Sequence, residues 1–172
     1  MAARRVRVIA VAVVVAAILL ATWWWLRPAR ATVAVYFVRG DGAHSTLQTV
    51  PRQVEGRGTE ALLAAALREV LAGPAPQERA SGLTTAIPAG TRLRGLRIEN
   101  AVVLLDLSGE VESGGGSSSM LARFWQLVYT ATQFPQAPQV RILIDGVAKP
   151  ALGGEGVLID RPIARPPSLP QF

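Results

Sequence analysis

The chain has 172 residues, of which 50% are hydrophobic and 17% are charged. That suffices for one domain of about 100–150 residues with a short appendage, and is too apolar for a disordered chain. The absence of cysteine excludes a disulfide framework, a thiolate nucleophile, a cysteine zinc site and a lipid-modified cysteine. The net charge of +6 is concentrated in the first 30 residues, which hold five of the 18 basic residues and no acidic one. The rest is nearly neutral and lacks the basic surface that phosphate binding requires, so we expect no nucleic-acid partner.

The N-terminal segment predicts a membrane helix. Val8 to Leu26 is an uncharged run of 19 residues, and a helix of that length spans a bilayer core at about 1.5 Å per residue. Basic residues precede the run and tryptophans, which favour the headgroup region, end it. We therefore assign the membrane anchor to Arg4, Arg5, Arg7, Trp23, Trp24 and Trp25.

The distribution of basic residues around this run places the N-terminus in the cytoplasm and the body outside the membrane. The alternative is a secreted protein whose signal peptide is cleaved near Ala31, because Ala29-Arg30-Ala31 fits a small-x-small cleavage pattern. In both cases the body is exported.

The body begins with two predicted strands. Val33–Val38 is β-branched and aromatic, which is typical of a buried strand. Leu47–Arg52 is the predicted partner, and Pro51 restricts it to a sheet edge because proline cannot donate to the ladder.

A first amphipathic helix is predicted after Thr59, which would be its N-cap, and it ends at Gly73-Pro74. Arg68 and Glu69 are expected to face water. The residues that recur at helical spacing, and are expected in the core, are Leu62, Leu63, Ala66, Leu67, Val70 and Leu71.

A hairpin and a second helix follow. Leu96–Glu99 and Val102–Leu107 alternate around a turn at Asn100, which predicts two paired strands. The second helix is predicted from Met120 to about Gln133, before Pro135. Its expected apolar face carries Leu121, Phe124, Trp125, Val128 and Ala131.

Val140–Ile144 predicts another strand, and Val157–Ile159 a last short one. The fold class is therefore α+β: a small mixed, mostly antiparallel sheet with two amphipathic helices, preceded by one N-terminal transmembrane helix. The predicted organisation is a stub and anchor or signal peptide over residues 1–31, a domain over 32–162, and a proline-rich tail over 163–172.

The body resembles the GerMN domain, the sporulation and spore-germination module, as a single-domain, membrane-anchored member. The resemblance implies a small α/β module on the outer side of the membrane, related in fold to ring-building modules, and no catalytic residue. The matching pieces span about residues 33–161 and are, in order, Val35-Tyr36-Phe37, Val50-Pro51-Arg52, Leu71-Ala72-Gly73-Pro74, Ile87-Pro88-Ala89-Gly90-Thr91, Val103-Leu104-Leu105-Asp106-Leu107-Ser108, Gln126-Leu127-Val128-Tyr129-Thr130-Ala131-Thr132-Gln133-Phe134 and Ile144-Asp145-Gly146.

Few residues suggest catalysis. His44 is the only histidine, with Asp41 and Ser45 nearby, but no nucleophile-elbow or comparable signature accompanies it, so we interpret it as a solvated loop residue. Asp106 and Ser108 share a strand face and are better explained as strand-terminating and turn-capping residues. We expect no cofactor and no metal, because the chain offers only scattered carboxylates.

Other polar and aromatic positions also favour structural roles. Gly114–Ser119 precedes the second helix and could present N–H groups to an anion, but it lacks a Walker lysine, so Ser117 or Ser118 is expected as an N-cap. Trp125 could anchor a partner, and a core position is favoured. The remaining candidates are Thr130, Thr132 and Gln133 near the end of the second helix, and Asp145-Gly146 as a turn after a strand.

The sequence therefore predicts a non-catalytic, membrane-anchored extracytoplasmic scaffold or interaction module of the cell envelope. The expected partners are the membrane and an envelope protein or peptidoglycan, with a homo-oligomer possible. The alternative is a module that binds peptidoglycan or another wall polymer and adjusts wall enzymes, and a hydrolase is a remote third hypothesis. The free edge of the sheet or the exposed side of the second helix is the predicted docking surface.

Overall fold

A computed structural model of the chain describes residues 14–23, 29–40, 45–153 and 156–172. Residues 14–23 are helical and Trp23 is 55% exposed. No helix within these ranges is long and apolar enough to cross a membrane. The rest of the predicted span lies outside the described residues, as do Arg4, Arg5, Arg7, Trp24 and Trp25, so the membrane anchor stays a prediction.

The body contains nine strands and three α-helices within the described ranges. In chain order they are β1 (Arg30–Gly40), β2 (Ser45–Glu55), α1 (Thr59–Ala72), α2 (Pro76–Ala80), β3 (Leu83–Thr84), β4 (Leu93–Glu99), β5 (Val102–Leu107), a 3-10 turn (Gly109–Glu112), α3 (Ser117–Ala131), β6 (Gln139–Ile144), β7 (Ala151–Leu152), β8 (Val157–Leu158) and β9 (Ile163–Ala164).

The α+β class is confirmed, but the expectation of a single sheet is wrong. The described strands form three sheets, with the orders β2-β1-β3, β4-β5-β6-β9 and β7-β8. We call the first two sheet A and sheet B. Only β5 and β6 pair in parallel, across the α3 crossover, and the other pairs are antiparallel. Sheets A and B are separate because α1 and α3 contact strands of both sheets and share one apolar core with them.

Sheet A is built on the β1–β2 hairpin, which pairs residue for residue from Arg30↔Glu55 to Gly40↔Ser45. The predicted edge position of Pro51 is confirmed, since β2 has β1 on one side only. Ala34, opposite Pro51, uses its N–H and C=O on the side away from β2. The pair is therefore not hydrogen-bonded, and the Pro51 nitrogen points to the open edge, where a missing N–H costs no ladder bond.

Sheet B contains the predicted hairpin. Asn100 and Ala101 form its two-residue turn with φ of 50° and 64°, the conformation that matches the right-handed strand twist. The inner face of sheet B consists of buried or half-buried apolar residues in the rows Ile98–Val103–Val140–Ile163, Leu96–Leu105–Ile142 and Leu93–Leu107–Ile144.

The first helix begins one residue earlier than predicted, so that its N-cap is Gly58 rather than Thr59. Gly58 has φ of 79°, a value that an L side chain rarely adopts. The predicted core face is confirmed at Leu63, Ala66, Leu67 and Val70, which are fully buried.

The second helix departs further from its prediction. It starts at Ser117 with Gly116 as N-cap, and neither Ser117 nor Ser118 occupies that position. Leu121 and Trp125 are only half-buried, whereas the unpredicted Leu127 and Gln126 are fully buried. A one-sided stripe was expected, but α3 contacts β1, β2, α1 and β6, so it is covered on nearly every side.

The tail contacts the domain although it was predicted to lie beyond it. Ile163 and Ala164 pair with Val140 and Gln139 as β9. At the other end, Phe172 and Ser45 exchange two backbone hydrogen bonds of 2.7 and 3.0 Å. Prolines prevent a continuous strand between these two points, but not side-chain contacts.

An ion pair joins the helices to sheet A. Arg52 on β2 donates to both carboxylate oxygens of Glu78 on α2 at 2.6 Å, and its Nε lies 3.3 Å from Glu69 on α1. The hydrogen bond from Arg52 holds the pKa of Glu78 below the ordinary value of 4.5. The arginine of the Val50-Pro51-Arg52 motif thus attaches α1 and α2 to the sheet.

Acid should weaken this contact. Since the pKa of Glu78 is lower in the folded than in the unfolded chain, its contribution is complete above about pH 4.5 and is lost as the pH falls through the folded-state pKa. We expect Glu78→Gln to lower the free energy of unfolding at pH 7 by about 1–2 kcal/mol and to flatten its acid dependence. Urea unfolding at a series of pH values measures both, with the exposed Glu99→Gln as a control that should change stability by under about 1 kcal/mol. If the free energy of unfolding falls equally steeply with decreasing pH in the wild type and in Glu78→Gln, this expectation is wrong.

Candidate functional site

Ser108 and Asp106, two of the residues considered for catalysis, stabilise turns. Ser108 is 2% exposed, and its Oγ accepts the Arg92 N–H at 2.9 Å. Asp106 Oδ1 accepts the Gly146 N–H at 2.8 Å. Both side chains fasten the loops that follow β5 and β6. His44 and Asp41 lie outside the described residues, and within the described ranges no three histidine, aspartate or glutamate side chains come together as metal ligands.

The Gly114–Ser119 stretch lies beside the buried guanidinium of Arg123. Arg123 on α3 is 2% exposed and donates to the carbonyl groups of Val111, Ser113 and Gly114, and across to that of Ala86. Burial lowers the pKa of this guanidinium, which stays protonated because arginine titrates far above neutrality. The loop carbonyls, rather than an anion, are therefore its partners, and the stretch serves to hold the start of α3.

Two amides, one on α3 and one just after its end, take the place of a neighbouring strand beside β1. Gln133 accepts the Ala34 N–H at 2.8 Å and donates to the Ala34 carbonyl at 3.1 Å. Gln126 donates to the Tyr36 carbonyl at 2.9 Å and accepts the Ala86 N–H at 2.8 Å. The edge of β1 that β3 does not reach is thus covered, which prevents pairing with another chain.

The remaining polar candidates of this helix are also structural. Thr132 Oγ1 donates to the Val128 carbonyl, and Thr130 is fully buried. Trp125 is half-buried and packs its ring 4.7 Å from Phe124 and 6.0 Å from Tyr129.

The predicted docking surfaces are largely occupied. The outer edge of β2 is interrupted by Pro51 and joined by Phe172 at Ser45. The edge of β4 contains an irregularity at Arg94, and Glu60 on α1 accepts the Ile98 N–H at 2.7 Å. Because α3 is itself nearly enclosed, neither a sheet edge nor the side of this helix offers a broad surface.

The outer face of sheet B offers such a surface. Its side chains alternate with the buried ones and form the rows Glu99–Val102–Gln139, Arg97–Leu104–Arg141 and Gly95–Asp106–Leu143; we call these nine residues the open face. Val102, Leu104 and Leu143 are half-buried and lie outside the core. A depression of about 270 Å³ runs between Gly95, Leu104 and Leu143.

Charges frame the open face. Arg94, beside it, lies 3.5 Å from Asp106 and 3.4 Å from Asp145, and Arg97 pairs with Glu99. Arg141, in the middle row, has no ion-pair partner among the described residues. The open face therefore presents aliphatic groups with an arginine available for a partner.

This geometry defines a small α+β module, with α1 and α3 packed against sheets A and B, whose motif residues support the backbone. The family model of Germane, described as sporulation and spore germination, matches residues 34–150, and the chain belongs to this family. The GerMN resemblance is thereby confirmed. No curated protein matches the chain significantly.

Solved structures show the same fold. The tandem GerMN domains of the sporulation protein GerM from Bacillus subtilis match with a TM-score of 0.64 and 21% identity, over 80% of this chain and 46% of that one. The first GerMN domain of the same protein matches with a TM-score of 0.60 and 20% identity, over 78% and 98%. A putative lipoprotein from Clostridium perfringens matches with a TM-score of 0.57 and 22% identity, over 79% and 88%. The chain thus spans about half the length of the tandem structure.

Sequence reasoning missed the roles of Arg52, Arg123 and Gln126. A signal existed for Gln126, which lies seven residues before Gln133, a spacing of about two helical turns, although Gln133 itself follows the end of α3. Two amides at that spacing, among apolar neighbours, indicate that one side of the helix faces unpaired backbone groups. Arg52 and Arg123 bind partners far away in sequence, and no local pattern indicates them.

Proposed function

We propose that the chain is a non-catalytic interaction module of the cell envelope, held outside the membrane by residues 8–26, which docks a protein partner on its open face. The observation that carries the proposal is the uncovered sheet surface of Val102, Leu104 and Leu143 with Arg141 between them. Apolar surface that a small domain leaves uncovered commonly marks an interaction site.

The composition of the open face suits a protein partner. Aliphatic groups at its centre lose water on contact, and arginine is enriched where proteins meet because its planar group forms several hydrogen bonds at once. The side chains of the open face include no aromatic ring on which a sugar could stack, so the wall-polymer alternative has less support.

The non-catalytic character is supported by the engagement of Ser108 and Asp106 in turn-stabilising bonds and by the family, whose description concerns sporulation and germination. The exported location rests on the apolar run and its flanking basic and aromatic residues. The similarity to a putative lipoprotein is in line with a module that operates at a membrane surface.

Site-specific photo-crosslinking in the cells that make the protein tests the proposal. A crosslinking amino acid at Leu104 should give a discrete protein adduct that stays in the membrane fraction after a carbonate wash. The same group at Arg68, exposed on α1, is the matched control and should give none. Leu104→Asp should abolish the adduct of a crosslinker placed at Arg97, without unfolding the domain.

Equal adducts at residues 104 and 68 would contradict the open face as the docking surface. Recovery of the protein in the soluble fraction would contradict the anchor. Cosedimentation with purified sacculi that Leu104→Asp abolishes would favour the wall-polymer alternative.

A further inference from the structure

The tail lies over a small aromatic cluster that the proposed function does not use. The rings of Tyr36 on β1 and Tyr129 on α3 are 5.3 Å apart, and Trp125 is 6.0 Å from Tyr129; we call these three residues and the end of α3 the aromatic groove. Tyr36 and Tyr129 are 7% and 4% exposed, and Arg165 and Phe172 of the tail pack against this cluster.

Arg165 is the first contact of the tail with the groove. Its guanidinium lies 5.8 Å from the centre of the Tyr36 ring and 5.2 Å from that of Tyr129. It donates to the Tyr129 carbonyl at 2.7 Å and to Thr132 Oγ1 at 3.1 Å. The last turn of α3 contains no basic residue of its own, so Arg165 supplies the cation that a helix C-terminus favours.

The proline-rich part of the tail is bound through its backbone. The Tyr129 hydroxyl lies 3.0 Å from the Pro166 carbonyl oxygen and 2.7 Å from that of Ser168, and its single proton is available to either. Burial raises the pKa of Tyr129, so the hydroxyl remains a donor. Prolines at 166, 167 and 170 restrict the conformations of this segment and lack N–H groups, so its carbonyls have few local donors. The chain bends at Pro167 and Ser168.

The end of the tail adds to a sheet edge. Phe172 exchanges backbone hydrogen bonds with Ser45, and its side chain packs against the cluster that contains Tyr36 and Tyr129. An arginine contact, a bent proline segment bound through its carbonyls and a short added strand together make three recognition elements on one surface.

Ile163 packs against the core, and the tail beyond it lies on this surface. Pro167, Ser168, Leu169 and Gln171 are exposed. On the domain side, β9 pairs with β6 through two residue pairs only. Residues 165–172 are therefore held mainly by hydrogen bonds and ring contacts at the surface. Another segment of the same chemistry can make the same contacts.

We propose that the aromatic groove is a docking site for a protein segment in which an arginine directly precedes a proline-rich stretch, and that the tail occupies it as an internal competitor. A partner segment displaces the tail and takes over its contacts to Tyr36, Tyr129 and the end of α3. The proposal goes beyond the open face and does not depend on it.

Fluorescence anisotropy with a labelled peptide of residues 161–172 tests the proposal on the full chain in detergent solution. We expect the peptide to bind the Arg165→Ala chain at least tenfold more tightly than the wild-type chain, because the internal competitor is weakened. Tyr129→Phe, added to the Arg165→Ala chain, should reduce that binding at least severalfold while the far-UV circular dichroism stays unchanged.

The peptide offers its own control. An Arg165→Ala peptide should bind at least tenfold more weakly than the native peptide, whereas an Arg161→Ala peptide loses the same charge at an exposed position and should bind as the native one does. Equal loss with both peptides, or no binding to a folded Arg165→Ala chain, would overturn the proposal. Unfolding of the Arg165→Ala chain would also overturn it, since the tail would then belong to the core. If the wild-type chain forms a dimer and the native peptide dissociates it, the proposal is supported. In that case the tail of a second copy of the chain is a source of the docking segment.

Discussion

Replacing Arg123 by methionine is expected to lower the free energy of unfolding by about 3 kcal/mol or more, although methionine fills much of the same space. The buried guanidinium donates to four carbonyl groups from two separate segments, those of Val111, Ser113 and Gly114 before α3 and that of Ala86. A buried carbonyl that loses its donor costs about 1–3 kcal/mol, and several lose theirs at once. Urea unfolding followed by circular dichroism measures the change.

Arg123→Lys tests whether the charge of Arg123 or the hydrogen-bond geometry of its guanidinium stabilises the domain. The ammonium group keeps the charge but is shorter and cannot reach all four carbonyls, so we expect it to recover only part of the loss. If Arg123→Met unfolds at the wild-type urea concentration, the loop before α3 does not depend on the guanidinium, and our account of this residue is wrong.

Leu67→Asp is expected to unfold the domain. Leu67 is fully buried on α1, within the core shared by the two sheets. An unpaired carboxylate there costs several kcal/mol and the packing of leucine is lost as well. The sum is comparable with the whole stability of a small domain, about 5–15 kcal/mol. Far-UV circular dichroism and a thermal melt measure the outcome.

The neighbouring Arg68→Asp is the matched control, because Arg68 is exposed on the same helix and differs by one position. We expect its melting temperature to stay within a few degrees of the wild-type value, since surface substitutions usually change stability by about 0.5 kcal/mol or less. Similar melts for Leu67→Asp and the wild type would mean that the assigned face of α1 is not the buried one.

The two proposed surfaces concern different parts of the molecule. The open face belongs to sheet B, whereas the aromatic groove joins sheet A, α3 and the tail. Leu104→Asp and Tyr129→Phe therefore affect one surface each, and the two proposals can fail separately.

The local elements of the fold can be predicted from residues that are close together in the chain. β1, β2, the β4–β5 hairpin, α1 and β6 were predicted because their apolar spacing, turn residues and stop signals are all contained within a few neighbouring positions. Pro51 was assigned to an edge for the same reason: a missing N–H is a property of that residue wherever it lies. The GerMN resemblance rests on short local motifs and was likewise available.

Tertiary structure decided what depends on residues far apart in the chain. The separation into two sheets follows from the packing of α1 and α3 between them, which also explains why α3 is buried on nearly every side and not along one stripe. Gln126 pairs with Tyr36, ninety positions away, and Arg165 with Tyr129. The spacing of such side chains does not show which groups they bind, because each partner is a backbone group that every residue possesses. Only the fold determines which of those groups remain unpaired, and therefore which polar side chains hold the framework and which surfaces stay free to bind.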